Sequence, residues 1–124
     1  MKLLVAVACG GALGAVARYG AARLALQLFG AGFPVATLFV NIAGSFAMGV
    51  IVHWAASRGD GGLMRAFWAV GVLGAFTTFS TFSLDAVTLY KERSLAVAAS
   101  YVGLSVTLSI AALVAGVMTA RMSG

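Results

Sequence analysis

Three uninterrupted charge-free runs, residues 24–57, 66–84 and 94–120, dominate this sequence. Each reaches or approaches the roughly 20 apolar residues needed to cross a bilayer, so lipid is the solvent in which the chain folds. Only 9% of the residues are charged and 62% are hydrophobic, whereas an ordinary soluble domain carries about 25% charged residues. A soluble globule is excluded. Nothing between the runs is longer than a short loop, so a separate soluble catalytic domain is excluded as well.

Breaks in hydrophobicity predict four spans, about 3–28, 34–56, 65–90 and 95–118, within a single transmembrane domain over residues 1–124. The fold class is an all-α membrane protein, because open sheet edges do not survive in lipid and a barrel shows alternating ten-residue strands. Gly30, Gly32 and Pro34 separate the first two spans, and Gly59, Asp60, Gly61 and Gly62 predict a turn between the second and third. Lys2 followed by an apolar run also resembles a secretory signal. Against that, Gly10 and Gly14 have the spacing of a helix-packing GxxxG face, repeated one residue on by Gly11 and Ala15.

Net charge is +5, yet the cations lie singly or in pairs beside hydrophobic segments, which points to lipid headgroups and away from nucleic acid. With four spans, Lys2, Arg58, Arg65 and Arg121 share one side, and Arg18, Arg23, Lys91 and Arg93 share the other. This balance removes the asymmetry that normally orients a membrane protein. Insertion in both orientations, and an antiparallel homodimer with a two-fold axis in the membrane plane, become plausible. Cys9 is the single cysteine, so an intrachain disulfide and a cysteine-based metal site are excluded.

Polar residues inside the spans fall into patterns. Thr37, Asn41 and Ser45 recur at i, i+4 and i+8 on one helix face, as do Tyr101, Ser105 and Ser109. Interhelical hydrogen bonding accounts for hydroxyls of this kind, at about 0.6 kcal/mol per contact. Asn41 demands more, because an amide deep in a charge-free run must be satisfied by protein, water or substrate. The third span contains Gly71-Val72-Leu73-Gly74-Ala75-Phe76-Thr77-Thr78-Phe79-Ser80-Thr81-Phe82-Ser83. Low helix propensity and hydroxyls that bond the local backbone predict a break here. Unwound backbone at that depth lines a cavity or is buried, and its free carbonyls suit a cation. Phe76, Phe79 and Phe82 read as packing residues or as ring edges turned toward a small anion.

Absences narrow the function further. No carboxylate precedes Asp85 within the first three spans, so the proton-coupling group of a pump or exporter is missing. Asp85 suits a helix cap or a pore mouth, and His53 beside Trp54 reads as an interfacial pair. One histidine and scattered carboxylates make a poor side-chain metal site. Gly10-Gly11-Ala12-Leu13-Gly14 lacks the Lys-Ser or Lys-Thr of a nucleotide loop.

Three motifs together resemble the bacterial fluoride channels of the Fluc or CrcB family: Gly10-Gly11-Ala12-Leu13-Gly14-Ala15-Val16-Ala17-Arg18-Tyr19, Thr37-Leu38-Phe39-Val40-Asn41-Ile42-Ala43-Gly44-Ser45-Phe46, and the glycine, phenylalanine and hydroxyl run from Gly71 to Ser83. Asp85 stands where many members of that family carry Glu, a conservative change. The resemblance implies a broken third helix, a dual-topology antiparallel homodimer in the bacterial cytoplasmic (inner) membrane, and passive fluoride export with rejection of chloride. It implies fluoride, membrane lipid and a second copy as partners, with no nucleotide and no catalysed reaction. By the same resemblance Asn41 donates to fluoride, Phe79 and Phe82 form an aromatic box, and Tyr101, Ser105 and Ser109 continue a polar track. Thr37, Ser80 and Thr81 complete the candidate pathway, with Arg18 in its vestibule. Backbone carbonyls of Gly74 and Thr77 from both subunits would hold a structural Na+ at the dimer centre.

A pore for fluoride must replace a tightly held water shell with several close donors, and a fixed cation inside it would slow release. The polar stripes contain no cation. The competing readings are a small multidrug-type exporter, which requires a membrane carboxylate, and a non-transporting membrane assembly subunit, for which the stripes are packing contacts only.

Overall fold

The computed structural model describes residues 1–59 and 61–124; Asp60, and with it part of the turn predicted at residues 59–62, lies outside the described residues. All regular structure among the described residues is helical. Four helical runs are long and apolar enough to cross a membrane: Lys2–Phe29, Val35–Ser57, Gly62–Glu92 and Leu95–Ser123.

Helix α1 (Lys2–Phe29) ends at Gly30, whose φ of 74° lies in the left-handed region and whose amide reaches back to the Leu26 carbonyl at 3.0 Å. Helix α2 (Val35–Ser57) starts immediately after Pro34 and is followed by Arg58 and the left-handed Gly59. The third run is composite. Its first half, α3, comprises Gly61–Met64, a stretch wound as a π-helix over Arg65–Leu73, and a last turn at Gly74–Phe76. After a break at residues 77–79 the chain resumes as α4 (Ser80–Glu92), and α5 (Leu95–Ser123) follows, its start capped by Ser94 Oγ accepting from the Val97 amide at 3.2 Å.

These bounds match the first two predicted spans to within a residue or two. The third run starts before the predicted residue 65, and α5 continues past the predicted residue 118 to Ser123. Nothing between Met118 and Ser123 breaks a helix, so the helix outlasts its apolar stretch and carries Arg121 in its last turn. The predicted break in the third run is present. The π-helical winding before it was not anticipated from the sequence.

Close backbone approaches hold the bundle. A Cβ on Gly10 or Gly14 would run into the carbonyl oxygens of Phe67 and Val72, and one on Gly71 would meet Gly10 Cα at 2.9 Å. The GxxxG face of α1 therefore seats the wide turn of α3. Gly11 faces open space and Ala15 is exposed, so the second register of that spacing does not pack. Helices α2 and α5 cross in the same manner, Gly49 against the Leu113 carbonyl and Gly116 against the Phe46 carbonyl. A separate apolar core joins α4 to α5 through Phe82, Leu89, Ala98 and Tyr101, with Phe33 and Leu38 against it.

Candidate ion pathway

The break in the third run is built from diverted hydrogen bonds. Thr77 adopts extended backbone with ψ of 159°, and both its amide and its hydroxyl donate to the Leu73 carbonyl, at 3.0 and 2.9 Å. The Thr78 amide would bond the Gly74 carbonyl in a continuous helix. Instead it donates to Asn41 Oδ1 at 2.8 Å, while Asn41 Nδ2 donates to the Thr78 carbonyl at 3.0 Å. One side-chain amide thus pairs with both the N–H and the C=O of one residue, as a neighbouring strand would, satisfying polar backbone that lipid cannot. The Thr81 amide, the natural donor to the Thr77 carbonyl, is capped by Thr78 Oγ1 at 3.2 Å. Gly74 and Thr77 consequently lose the helical partners of their carbonyls.

Beside the break lies a cavity of about 440 Å³ between α2, α5 and the start of α4. Asn41 and Ser45 line it from α2, Ser105 and Ser109 from α5, and Gly74, Thr77, Thr78, Phe79 and Phe82 from the broken run. Among the described residues no charged one contributes to its wall. The hydroxyl oxygens of Ser105 and Ser109 are buried without a hydrogen-bond partner among the described residues. An unpaired hydroxyl is costly in a dry interior, so two of them facing one cavity mark a place for a polar guest. Phe79 and Phe82 have ring centroids 5.4 Å apart, but their surroundings differ. Phe82 is buried against Tyr101, whereas Phe79 is 78% exposed on the open side of the chain.

Arg18, Thr37 and Thr81 line a second cavity of about 260 Å³ between α1 and α2, with Thr78 shared between the two. Thr37 also borders a third, of about 300 Å³, walled by Asp85, Thr88, Glu92 and Arg93. The polar stripe of α2 is therefore divided. Thr37 faces the outer cavities while Asn41 and Ser45 face the central one.

Two of the predicted pathway residues line none of these three cavities. Tyr101 is fully buried, sandwiched between Phe33 and Phe82, and its hydroxyl donates to Asp85 at 3.2 Å. Ser80 is exposed, with its hydroxyl 3.3 Å from Thr78 Oγ1. Asp85 acts as the acceptor for Tyr101 at the edge of the third cavity. Trp54 is paired with Arg58, whose guanidinium lies 3.9 Å from the ring centroid. Thr78 is the residue that sequence reasoning missed. It joins Asn41, caps α4 and touches two cavities, and its only sequence signal was membership of the hydroxyl-rich run.

The chain is similar to known proteins over most of its length. The family model described as CrcB-like protein, Camphor Resistance (CrcB), matches residues 5–117. A protein of Cereibacter sphaeroides named fluoride-specific ion channel FluC is 53% identical over 118 residues, covering 95% of this chain and 94% of the relative. A FluC of Roseobacter denitrificans is 50% identical, covering 98% and 97%, and one from a Caulobacter species is 46% identical, covering 98% and 96%. The four apolar helices and these bacterial relatives identify a multi-pass bacterial membrane protein. With the family match spanning all four helices and the broken third run among them, the chain belongs to the CrcB-like family.

Proposed function

We propose that this protein is a fluoride-selective channel of the bacterial cytoplasmic membrane, letting fluoride leave the cell passively and catalysing no reaction. The observation that carries the reading is the central cavity, in which an amide, two unpartnered buried hydroxyls and two phenylalanine rings converge with no charged group among the described residues. Relatives over nearly the whole chain bear the name fluoride-specific ion channel. A small, strongly hydrated anion enters such a site only when several neutral donors replace its water, and it leaves because no fixed cation holds it. Asn41, Ser105 and Ser109 supply donors, and Phe79 and Phe82 can turn positive ring edges to the ion. Arg18, in the adjoining cavity beside Thr37 and Thr81, raises the local anion concentration without entering the central wall. Ser80 and Tyr101 act from outside the cavity, through Thr78 and Asp85 respectively. Among the described residues no carboxylate lines the central wall, so nothing there supports the coupling group that the exporter reading needs.

The working unit on this reading is an antiparallel homodimer. Equal cation counts on the two sides support dual insertion, and the exposed Phe79 and the open side of the cavity offer a surface for a second copy. A structural Na+ at the dimer centre fits the donor set, because diversion of the Thr78 and Thr81 amides leaves the Gly74 and Thr77 carbonyls available to it. Such an ion would supply positive charge that neutralises converging carbonyl dipoles.

The test is efflux from liposomes holding the purified protein, with a fluoride electrode outside and valinomycin balancing charge. Rapid release of fluoride, with chloride retained in parallel vesicles, is the expected result. A folded preparation that retains both ions eliminates the channel reading and returns weight to an assembly subunit.

A further inference from the structure

A cation count that is equal on the two sides gives the chain no preferred orientation, so most of its lysines and arginines serve some other end. The two ends of the bundle differ in how that charge is met. The start of α1, the end of α2, the start of α3 and the end of α5 share one end, which by sequence carries Lys2, Arg58, Arg65 and Arg121 against the single acid Asp60. The opposite end mixes its charges. Glu92 stands between Lys91 and Arg93 in sequence, and Arg93 shares a cavity wall with Glu92 and Asp85. Arg18 there lines the cavity beside Thr37 and Thr81. The first end is a surface of excess positive charge, whereas the second is partly neutralised.

Both tryptophans of the chain lie toward that same basic end. Trp54 is in the last turn of α2 and Trp68 is in the π-wound part of α3; they are 41% and 43% exposed, and Val52 and Leu63 are exposed as well. An exposed indole near a helix end belongs at the headgroup level, with its apolar body toward the acyl chains. The Arg58 guanidinium lies over the Trp54 ring, 3.9 Å from its centroid. Ser57 Oγ donates to the Trp54 carbonyl at 2.9 Å and ties off the helix end beside it. Stacking engages the flat face of a guanidinium and leaves its N–H edge for an oxyanion such as phosphate. Across the connecting turn Arg65, also exposed, opens the π-wound segment.

We propose that Arg58, laid on Trp54, and Arg65 bind the phosphate of an anionic phospholipid, whose acyl chains run along the exposed apolar side chains of that end. Charge complementarity selects the headgroup. A zwitterionic lipid brings its phosphate together with a cation, which the excess positive charge of this end repels, whereas a headgroup of net negative charge meets no such penalty. The tryptophan sets the depth and holds the guanidinium at the level of the phosphates. On the antiparallel assembly proposed above, one such site lies in each leaflet, so these cations anchor the protein in the membrane without orienting it. The site itself is independent of which ion the protein passes.

The experiment follows the melting temperature of the purified protein in detergent micelles doped with dioleoyl phosphatidylglycerol or with dioleoyl phosphatidylcholine, which share acyl chains and differ in net charge. A saturable rise with phosphatidylglycerol, and a much smaller response to phosphatidylcholine, are expected. Arg58→Gln combined with Arg65→Gln, at two exposed positions, should leave the lipid-free melt in place and abolish the rise. Lys91→Gln combined with Arg93→Gln, at the opposite end, should preserve it. Sodium phosphate at matched ionic strength should produce no rise, because it lacks the acyl chains. Native mass spectrometry then reads binding without relying on stability, with phosphatidylglycerol adducts expected on the parent protein and lost from the Arg58 and Arg65 double variant. Equal responses to the two lipids, adducts undiminished in that variant, equal loss of the rise from both pairs of substitutions, or the same rise from inorganic phosphate overturns the proposal.

Discussion

Helices α2 and α5 treat each other differently at their two ends. Toward one end, Gly49 and Gly116 bring backbone against backbone, with Phe46 and Leu113 carbonyls where a side chain would otherwise sit. Toward the other, Asn41 and Ser45 are separated from Ser105 and Ser109 by the central cavity. Lipid provides little hydrophobic drive for two helices to associate, so contact area and packing must do it. The glycine crossing supplies that contact and fixes the angle of the pair. The polar end can then stay open without closing its hydroxyls on one another. Stability and ligand chemistry thus occupy different turns of the same two helices.

Disturbing the glycine end has the largest expected effect. Gly116→Val pushes a side chain into the Phe46 carbonyl and should destabilise the fold by about 3 kcal/mol, the upper part of the overpacking range, seen as a lower melting temperature in detergent. An unchanged melt would mean that the crossing is looser than its geometry implies. Next comes the clamp on the break. Asn41→Ala orphans the Thr78 amide and carbonyl at a cost of about 2 kcal/mol and should stop fluoride efflux. Asn41→Asp keeps the acceptor but loses the donor and turns an acceptor toward the cavity, so it too should stop efflux. Normal flux in the aspartate variant would remove Asn41 from the pathway.

At the open side the account separates function from stability. Phe79→Ile should leave the melting behaviour within about 0.5 kcal/mol of the parent, because the side chain is 78% exposed, while lowering fluoride efflux. Full flux in that variant favours a packing role for the ring. The smallest effect is expected at Gly11→Ala, which faces open space and should change stability by less than about 0.5 kcal/mol, whereas Gly10→Ala one residue away should be strongly destabilising. Equal melts for this pair would dissolve the distinction between contact glycines and free ones.

Much of this was legible in the sequence for definite physical reasons. Lipid forces long charge-free runs to be helices, so the four spans could be read, the first two to within a residue or two and the last without its extension to Ser123. The i, i+4 and i+8 spacing placed Asn41 with Ser45 on one face of α2 and Ser105 with Ser109 on one face of α5, whereas a shared space for the two faces was implied only by the family resemblance. Crowded hydroxyls and glycines located the break. What stayed hidden depends on contacts distant in sequence or on backbone winding. Nothing local marks Arg65–Leu73 for a π-helix, since its wide turn accompanies a close approach of Gly71 to Gly10. Tyr101 follows the period of its stripe, yet its hydroxyl is taken by Asp85 from a different helix. Thr78 could be distinguished from its neighbours only by its partner Asn41, 37 residues away.

The most direct test of the central claim places a removable plug in the cavity. Cys9, the only native cysteine, is exposed, so Cys9→Ser with Ser109→Cys leaves a single thiol in the central wall. Fluoride efflux is then measured from liposomes before labelling, after labelling with a methanethiosulfonate reagent, and after reduction. A block on labelling that reduction reverses is the predicted result. Undiminished efflux from protein shown by mass spectrometry to be fully labelled would contradict the assignment of this cavity as the route.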